Sequence, residues 1–553
     1  MTERDWRRAA TRLRLETSGF RLRIRREGCA GGLQPVIINR REAVALFGAG
    51  GAALLAPVAA RGQTSPLDFD HGIVIERARQ LAAHPYQPPR SDLPKTLDEL
   101  SFDAYRAIRF RREKAFFAKG RSDFRMELFH LGFLYKAPVV VNLVREGVAA
   151  PIPYDASLFD FGETKVKDRL PIDFGFAGLR LLFPLNRPTV MDELAVFLGA
   201  SYFRFLGAGQ HYGLSARGIA IGTGEAEPEE FPMFREFWIE EPAPGASAIV
   251  IHALLDGPSL TGSYRMVITP GEETTVAVGS TLFPRRDIPK LGVAPLTTMF
   301  FYGENDRRQY RGFRPEVHDS DGLLVRGDSG WTWRPLVNPD ALQKSAFSDP
   351  SVQGFGLLQR DRLFEDYQDL EVRYDLRPSY WVDSEGGWGA GRVELVELPT
   401  DNETFDNVVA YWVPETPPKA GESLRFSYGL RALKLAERLT PEAHAVHTFV
   451  TEARASGDPN PGPPHVRRFI VDFAGGELAY WLDEPKRVVT DTRASVGKIN
   501  AAYVVPNPEI RGFRLFLDHE IEQPNTSAEL RALLKVGDRV ITEAWVFPWT
   551  RRD

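Results

Sequence analysis

Ala248-Ile249-Val250-Ile251-His252-Ala253-Leu254-Leu255, then Tyr264-Arg265-Met266-Val267-Ile268-Thr269, Pro270-Gly271 and Thr274-Thr275-Val276-Ala277-Val278, read as neighbouring strands of an antiparallel sheet. The first run is continuously apolar, the pattern of a strand covered on both faces. The next two are rich in β-branched residues, and the Pro-Gly signal between them predicts a hairpin. From about Arg125 onward the same grammar repeats, with short runs rich in Val, Phe and Tyr at intervals of roughly 10 residues. Helix-like spacing is confined to minor elements at Asp68 to Ala83 and Leu97 to Phe110. No long amphipathic helices alternate with the strands, which argues against a doubly wound fold or a TIM barrel. The expected class is all-β, built on a large antiparallel β-sandwich.

One composition break interrupts the pattern. The strand Ser423 to Leu430 gives way to a polar, helix-capable Arg431 to Ala455 and then to Gly457-Asp458-Pro459-Asn460-Pro461-Gly462-Pro463-Pro464. This predicts a large domain over 66–430, a linker over 431–464, and a small immunoglobulin-like C-terminal β-sandwich over 465–553. The last would be built on strands at Arg468 to Phe473, Glu477 to Trp481, Phe513 to Leu517 and Val540 to Phe547.

The 553 residues are 43% hydrophobic and 26% charged, which excludes disorder, collagen and coiled coil. Residues 1–60 hold 11 of the 69 basic and 5 of the 74 acidic side chains, so 61–553 carries a net charge of −11 and no nucleic-acid partner is expected. In that first segment Arg40-Arg41 precedes an apolar, small-residue run from Ala43 to Leu55, and Val58-Ala59-Ala60 follows. This is the order of an export signal of the twin-arginine type, placing the mature protein in the periplasm. The run falls well short of the ~20 residues a membrane-spanning helix needs. The Arg-rich stretch before it suggests that translation starts near Val36. Cys29, the only cysteine, lies in this segment, so the mature chain has no thiol for metal binding or nucleophilic catalysis.

Two polar motifs could carry chemistry. His318-Asp319-Ser320-Asp321 places two carboxylates two residues apart, on one face if extended. Thr404-Phe405-Asp406-Asn407 follows Asp401 and Glu403 and leads into Val408-Val409-Ala410-Tyr411-Trp412. A carboxylate at the mouth of a buried strand beside Trp and Tyr can have its pKa raised and serve as a general acid. The competing reading is that each Asp caps or turns a loop. No second histidine sits at ligand spacing near His318, so neither a metal nor another cofactor is expected. Trp331, Trp333, Tyr367, Tyr374, Tyr380-Trp381, Trp388 and Tyr411-Trp412 cluster in the same region. In an acidic sandwich such rings suit a polysaccharide, whose C–H faces stack on aromatics, although about half should be core. Leu214-Ser215-Ala216-Arg217-Gly218 lacks the spacing of a nucleophile elbow. Gly207-Ala208-Gly209 is not followed by a helix that could cradle phosphates.

Several long strings resemble one family: Leu198-Gly199-Ala200-Ser201-Tyr202-Phe203-Arg204, Tyr212-Gly213-Leu214-Ser215-Ala216-Arg217-Gly218, Glu230-Phe231-Pro232, Leu291-Gly292-Val293-Ala294-Pro295 and Gly354-Phe355-Gly356-Leu357-Leu358-Gln359. They are similar to those of the periplasmic glucan biosynthesis proteins, types G and D, from about Leu67 to the C-terminus. The twin-arginine signal is more like the D type. The resemblance implies a periplasmic protein of osmoregulated glucan biosynthesis, with a large β-sandwich joined to an immunoglobulin-like one, acting on a β-1,2-linked glucose backbone as an anomer-inverting glycoside hydrolase. Carried over string by string, it makes Asp406 the general acid and puts Asp319 on the base side; Asp406 is expected to be the buried, neutral partner and Asp319 the ionised one. Tyr212, Arg217, Asp321, Tyr367, Tyr380, Trp381 and Trp412 are candidates to line the glucan. Two alternatives stay open: a transglycosylase that cyclises or branches the chain, and a non-catalytic glucan-binding protein that guides the product of a membrane glucosyltransferase.

Overall fold

The computed structural model describes residues 67–552 apart from 92, 121, 165–169, 172, 308–311, 436–437, 455–456, 458 and 461. The export-signal reading of 1–60, with Cys29, lies outside the described residues. The opening hairpin forms as expected. Ile249–Asp256, Leu260–Thr269 and Thr274–Pro284 are consecutive antiparallel strands, with Thr269 opposite Thr275 across the Pro270-Gly271 turn. All but one residue of Ile249–Asp256 are buried, as its unbroken apolar run demands.

These strands lie in a 16-stranded sheet. It continues through Leu424–Leu433, Ser379–Ser384, Gly354–Leu358, Gly322–Gly327 and Gly330–Pro335. A second, 10-stranded sheet runs from Gln343–Asp349 through Gly391–Glu397, Val408–Pro414, Leu291–Thr298, Ser215–Arg217 and Tyr202–Phe205 to Arg125–Phe129. One continuous core fills the space between them, so the chain is the all-β sandwich its sequence implies. Tyr380 fixes the two sheets to each other. Its ring stacks on Phe205 at 4.3 Å, and its hydroxyl donates to the Phe205 carbonyl and accepts from the Phe205 amide.

At its far edge the large sheet does not stop at the large sandwich. Gly330–Pro335 pairs in parallel with Ala544–Arg551, which pairs with Thr526–Val536 and through it with Val488–Ala494. The sheet of His444–Glu452, Val466–Ala474, Gly512–Glu520 and Lys498–Asn507 packs on this extension around Phe469, Phe513, Leu530 and Trp545. Two local expectations fail here. The helix-capable stretch 431–455 ends one strand and supplies the whole of another, because pairing with Val466–Ala474 overrides a weak local preference. Leu478–Trp481, expected as strand, is a single helical turn entered from Gly475 and Gly476, both at positive φ. The N-terminal helix His71–Ala82 does form, capped where Ile73 N donates to Asp70 Oδ1 at 3.2 Å.

Arg334 and Glu397 form a buried ion pair between the two sheets, with Nη2 2.6 Å from Oε2. Glu397 also accepts from Val337 N at 2.8 Å. Removing one partner alone strands a charge in the core, whereas removing both does not. Arg334→Leu is therefore expected to lower the unfolding free energy by about 3–5 kcal/mol. The Arg334→Leu/Glu397→Leu double variant should recover most of that loss in chemical denaturation.

Candidate active site

Asp406 sits on the loop between Gly391–Glu397 and Val408–Pro414, and the residue after it anchors that loop. The buried Asn407 amide donates to the carbonyls of Phe300 and Leu398, each at 3.0 Å, and accepts from Phe300 N at 2.9 Å. Farther out, Thr404 N donates to Asn402 Oδ1 at 2.9 Å, a turn of the kind Asn side chains favour. The loop is thus held at both its root and its tip, which fixes where the Asp406 carboxyl emerges.

Asp319 follows the short strand Val317–His318, and its amide donates to the Met299 carbonyl at 2.8 Å. Met299 precedes Phe300, so both carboxyls are referenced to the same two residues of backbone. Arg377 Nε lies 3.3 Å from Asp319 Oδ1, close enough for attraction but without the alignment of a hydrogen bond. Gly213 passes directly over this pair. A Cβ there would stand 2.9 Å from Arg377 Cδ and 3.2 Å from Asp319 Cγ, so the close approach requires glycine.

Around Asp406 the surroundings are cationic. Arg204 Nη2 is 3.9 Å from Asp406 Oδ2, while Arg204 Nε donates to Ser215 Oγ at 2.7 Å. Arg217 is buried, bonded to Thr297 and Glu229, and stacked 4.6 Å over the Tyr202 ring. Burial raises the Asp406 carboxyl above the usual carboxylate range, and Arg204, Arg217 and Arg377 oppose that rise. Asp319 is also raised by burial. Arg377 opposes its rise and the charge of Asp406 adds to it, so Asp319 lies within the field of Asp406.

The expected roles need one correction. Asp406 is not the more buried partner. Its side chain is 31% exposed against 11% for Asp319, and it stands at the rim among arginines rather than behind apolar rings. Arg377 also lines an open depression of about 500 Å³, together with Asn186, Glu193, Gln210, His211 and Tyr212. Tyr212 thus lines the depression, and Arg217 is one of the cations acting on Asp406. The Tyr212 hydroxyl is buried without a hydrogen-bond partner among the described residues, and burial pushes it well above its ordinary pKa.

Four other candidates are core, and their rings offer no face to a sugar. Tyr380 ties the sheets as described above. Trp381 is buried with its indole N–H on Asp383, and Trp412 is buried against Trp388 and Phe426. Tyr367 is fully buried, edge-on to His318, and donates to the Asp361 carbonyl. Asp321 lies with Glu316, His318 and Asp361 and accepts from the amides of Arg360 and Asp361. Sequence reasoning missed Arg204 and Arg377, whose roles depend on long-range pairing. It also passed over Phe231 and Phe405, which are 52% and 62% exposed and lie inside strings already quoted.

His318 anchors a separate buried cluster. Burial disfavours its imidazolium, but Asp321 and Glu316 outweigh this and push its pKa up to about 9. Glu316, His318 and Asp361 bring ligand-type atoms within 4.8 Å of one another, a grouping that linear spacing could not reveal.

Comparison with known proteins agrees with the strings. A profile described as "Periplasmic glucan biosynthesis protein, MdoG" matches residues 69–549. Glucans biosynthesis protein G of Rhodopseudomonas palustris (strain BisA53) is 44% identical over 518 residues, 93% of this chain and 100% of that protein. The "Probable glucans biosynthesis protein D" of Shewanella oneidensis is 43% identical over 488 residues, 87% of this chain and 89% of that protein. Glucans biosynthesis protein G of Ralstonia nicotianae is 44% identical over 488 residues, covering 87% and 96%. These identities do not separate the G from the D type. With both sheets formed from the matched residues, the chain belongs to the periplasmic glucan biosynthesis protein family.

Proposed function

We propose that this protein works in the periplasm on the β-1,2-glucan backbone as an anomer-inverting endo-glucanase, with Asp406 as general acid and Asp319 on the base side. The observation that carries the reading is the pair itself. Two carboxyls are both raised by burial, the charge of Asp406 acts on Asp319, and Arg377, which pairs with Asp319, also lines a polar depression large enough for sugar units. The family membership gives glucan as the material handled.

Inversion requires a protonated carboxyl on the leaving oxygen and an ionised one that draws a proton from the attacking water. Rim exposure suits Asp406 to the first task, since it can reach a glycosidic oxygen while burial raises its carboxyl above the ordinary value. On the base side Asp319 is raised chiefly by burial, and the Arg377 guanidinium beside it is the largest effect that favours its charged form. Its depth favours abstraction through an intervening hydroxyl over direct contact with bulk water. That same depth supports a second reading, in which a sugar hydroxyl replaces water as acceptor and the chain is transferred instead of hydrolysed.

Incubation with linear β-1,2-glucan, followed by product mass and linkage analysis, separates these readings from non-catalytic binding. Asp406→Asn is expected to lower turnover by about 10²–10⁴-fold without lowering the thermal midpoint. Wild-type turnover in that variant would remove the assignment. A second expectation concerns Arg204. Its charge favours ionised Asp406, so Arg204→Met raises that carboxyl further. Because the acid must be protonated to act, the alkaline limb of the pH–rate profile should move to higher pH; a shift to lower pH would contradict the acid role.

A further inference from the structure

One residue before Asp319, His318 enters a cluster that plays no part in the proposed cleavage. Its ring is fixed on two sides, stacked on Phe300 at 5.3 Å and met edge-on by Tyr367 at 5.2 Å. Its tautomer is fixed as well. Gln359 Nε2 donates to the carbonyls of His318 and Tyr374, so the Gln359 amide oxygen must face His318 Nδ1, 3.0 Å away. Nδ1 therefore carries a hydrogen, and Nε2 points at Glu316 Oε2, 2.8 Å distant. Two ligands held at ~2.0–2.2 Å from one ion at a right angle lie about 3 Å apart, so this separation fits the edge of a coordination shell.

The rest of the cluster is short of positive charge. Among the described residues the Asp361 carboxylate makes no hydrogen bond or ion pair, and after burial the largest effects on it come from Asp321, Glu316, Glu304 and Asp366, all acidic. Asp321 Oδ1 is screened from solvent and has no hydrogen-bond partner, because the nearby Nδ1–H is committed to Gln359. The neighbouring cations are engaged elsewhere, Arg360 with Glu543 and His447 with Glu304. A cavity of about 20 Å³ among these side chains has room for one ion or one water.

We propose that Glu316, His318 through Nε2, and Asp361 bind one divalent transition-metal ion of the Zn²⁺ or Mn²⁺ class, with Gln359 as the outer partner that holds the imidazole. One imidazole with carboxylates is a donor set for that class. A carbonyl-type oxygen on the far ring nitrogen is the usual support of a metal-bound histidine. Binding displaces the proton that Nε2 otherwise shares with Glu316 and supplies the charge that Asp361 lacks. The ion would tie the strand leading to Asp319 to the end of Gly354–Leu358, making it a positioning element for the cleft and not a participant in cleavage.

Metal analysis of full-length protein purified without chelator tests this, followed by chelator treatment and separate calorimetric titrations with Zn²⁺ and Mn²⁺. About one ion per chain is expected, with a higher thermal midpoint on reloading. Gln359→Leu should weaken binding by about 10–100-fold. Asp361→Asn removes a ligand that holds no other bond, so it should fold as the wild type does and bind far more weakly. Folded, chelator-treated protein that takes up neither ion at millimolar concentration would overturn the proposal. So would Asp361→Asn binding with wild-type affinity and stoichiometry. Both readouts are independent of glucan cleavage.

Discussion

The amide side chain of Asn407 sets the relation between the two carboxyls. Its three hydrogen bonds join the Asp406 loop to both backbone groups of Phe300 and to the Leu398 carbonyl, in a setting buried from water. Met299, one residue earlier, receives the Asp319 amide. A single buried amide thus fixes the root of one functional loop to the segment that holds the other. A buried amide must find partners or bear the full cost of desolvation, so this arrangement is strongly specified. Rigid placement of this kind is what a pair of acid and base groups needs, because proton transfer tolerates little error in distance.

Electrostatics then differentiates two groups of the same type. Both carboxyls are raised by burial, yet they are set apart by depth and by arginine contact. Asp406 stands at the rim with Arg204 at long range, and Asp319 lies deeper with Arg377 close by. The arginines reach this place from distant parts of the sequence, on Tyr202–Phe205, on Ser215–Arg217 and after Tyr374–Leu376. Buried ion pairs recur where the sheets and the C-terminal strands meet. Arg334–Glu397 joins the two large sheets, and Arg360–Glu543 joins the loop after Gly354–Leu358 to the C-terminal strands. Glu543 also accepts from Ala445 N, so the same carboxylate satisfies the strand His444–Glu452. Arg360 lies 3.5 Å over the Trp333 ring as well, which shields that pair from water.

Much of the fold was legible residue by residue. The apolar run at 249–255 and the turn at Pro270-Gly271 prescribed their strands because period, branching and turn chemistry agree there. The segment 431–455 misled because its local preference for helix is weak and a partner strand was available. Leu478–Trp481 misled because a few apolar residues after Gly-Gly carry no decisive period. The aromatic candidates misled in a different way: Tyr380, Trp381, Trp412 and Tyr367 have the ring chemistry of sugar platforms, but a large ring is also the most effective filler of a sandwich core, and composition does not say which face a strand turns inward.

By itself the sequence determined the all-β class, the family resemblance and the two carboxylate motifs, since these depend on short-range periodicity and on contiguous strings. Only the tertiary structure decided that Asp406 is the exposed partner and Asp319 the deep one, that arginines surround them, and that the large sheet continues unbroken into the C-terminal strands. It also decided that Glu316, His318 and Asp361 meet. Burial, field and coordination are properties of groups brought together from far along the chain, and their strength depends on distances that no local pattern encodes.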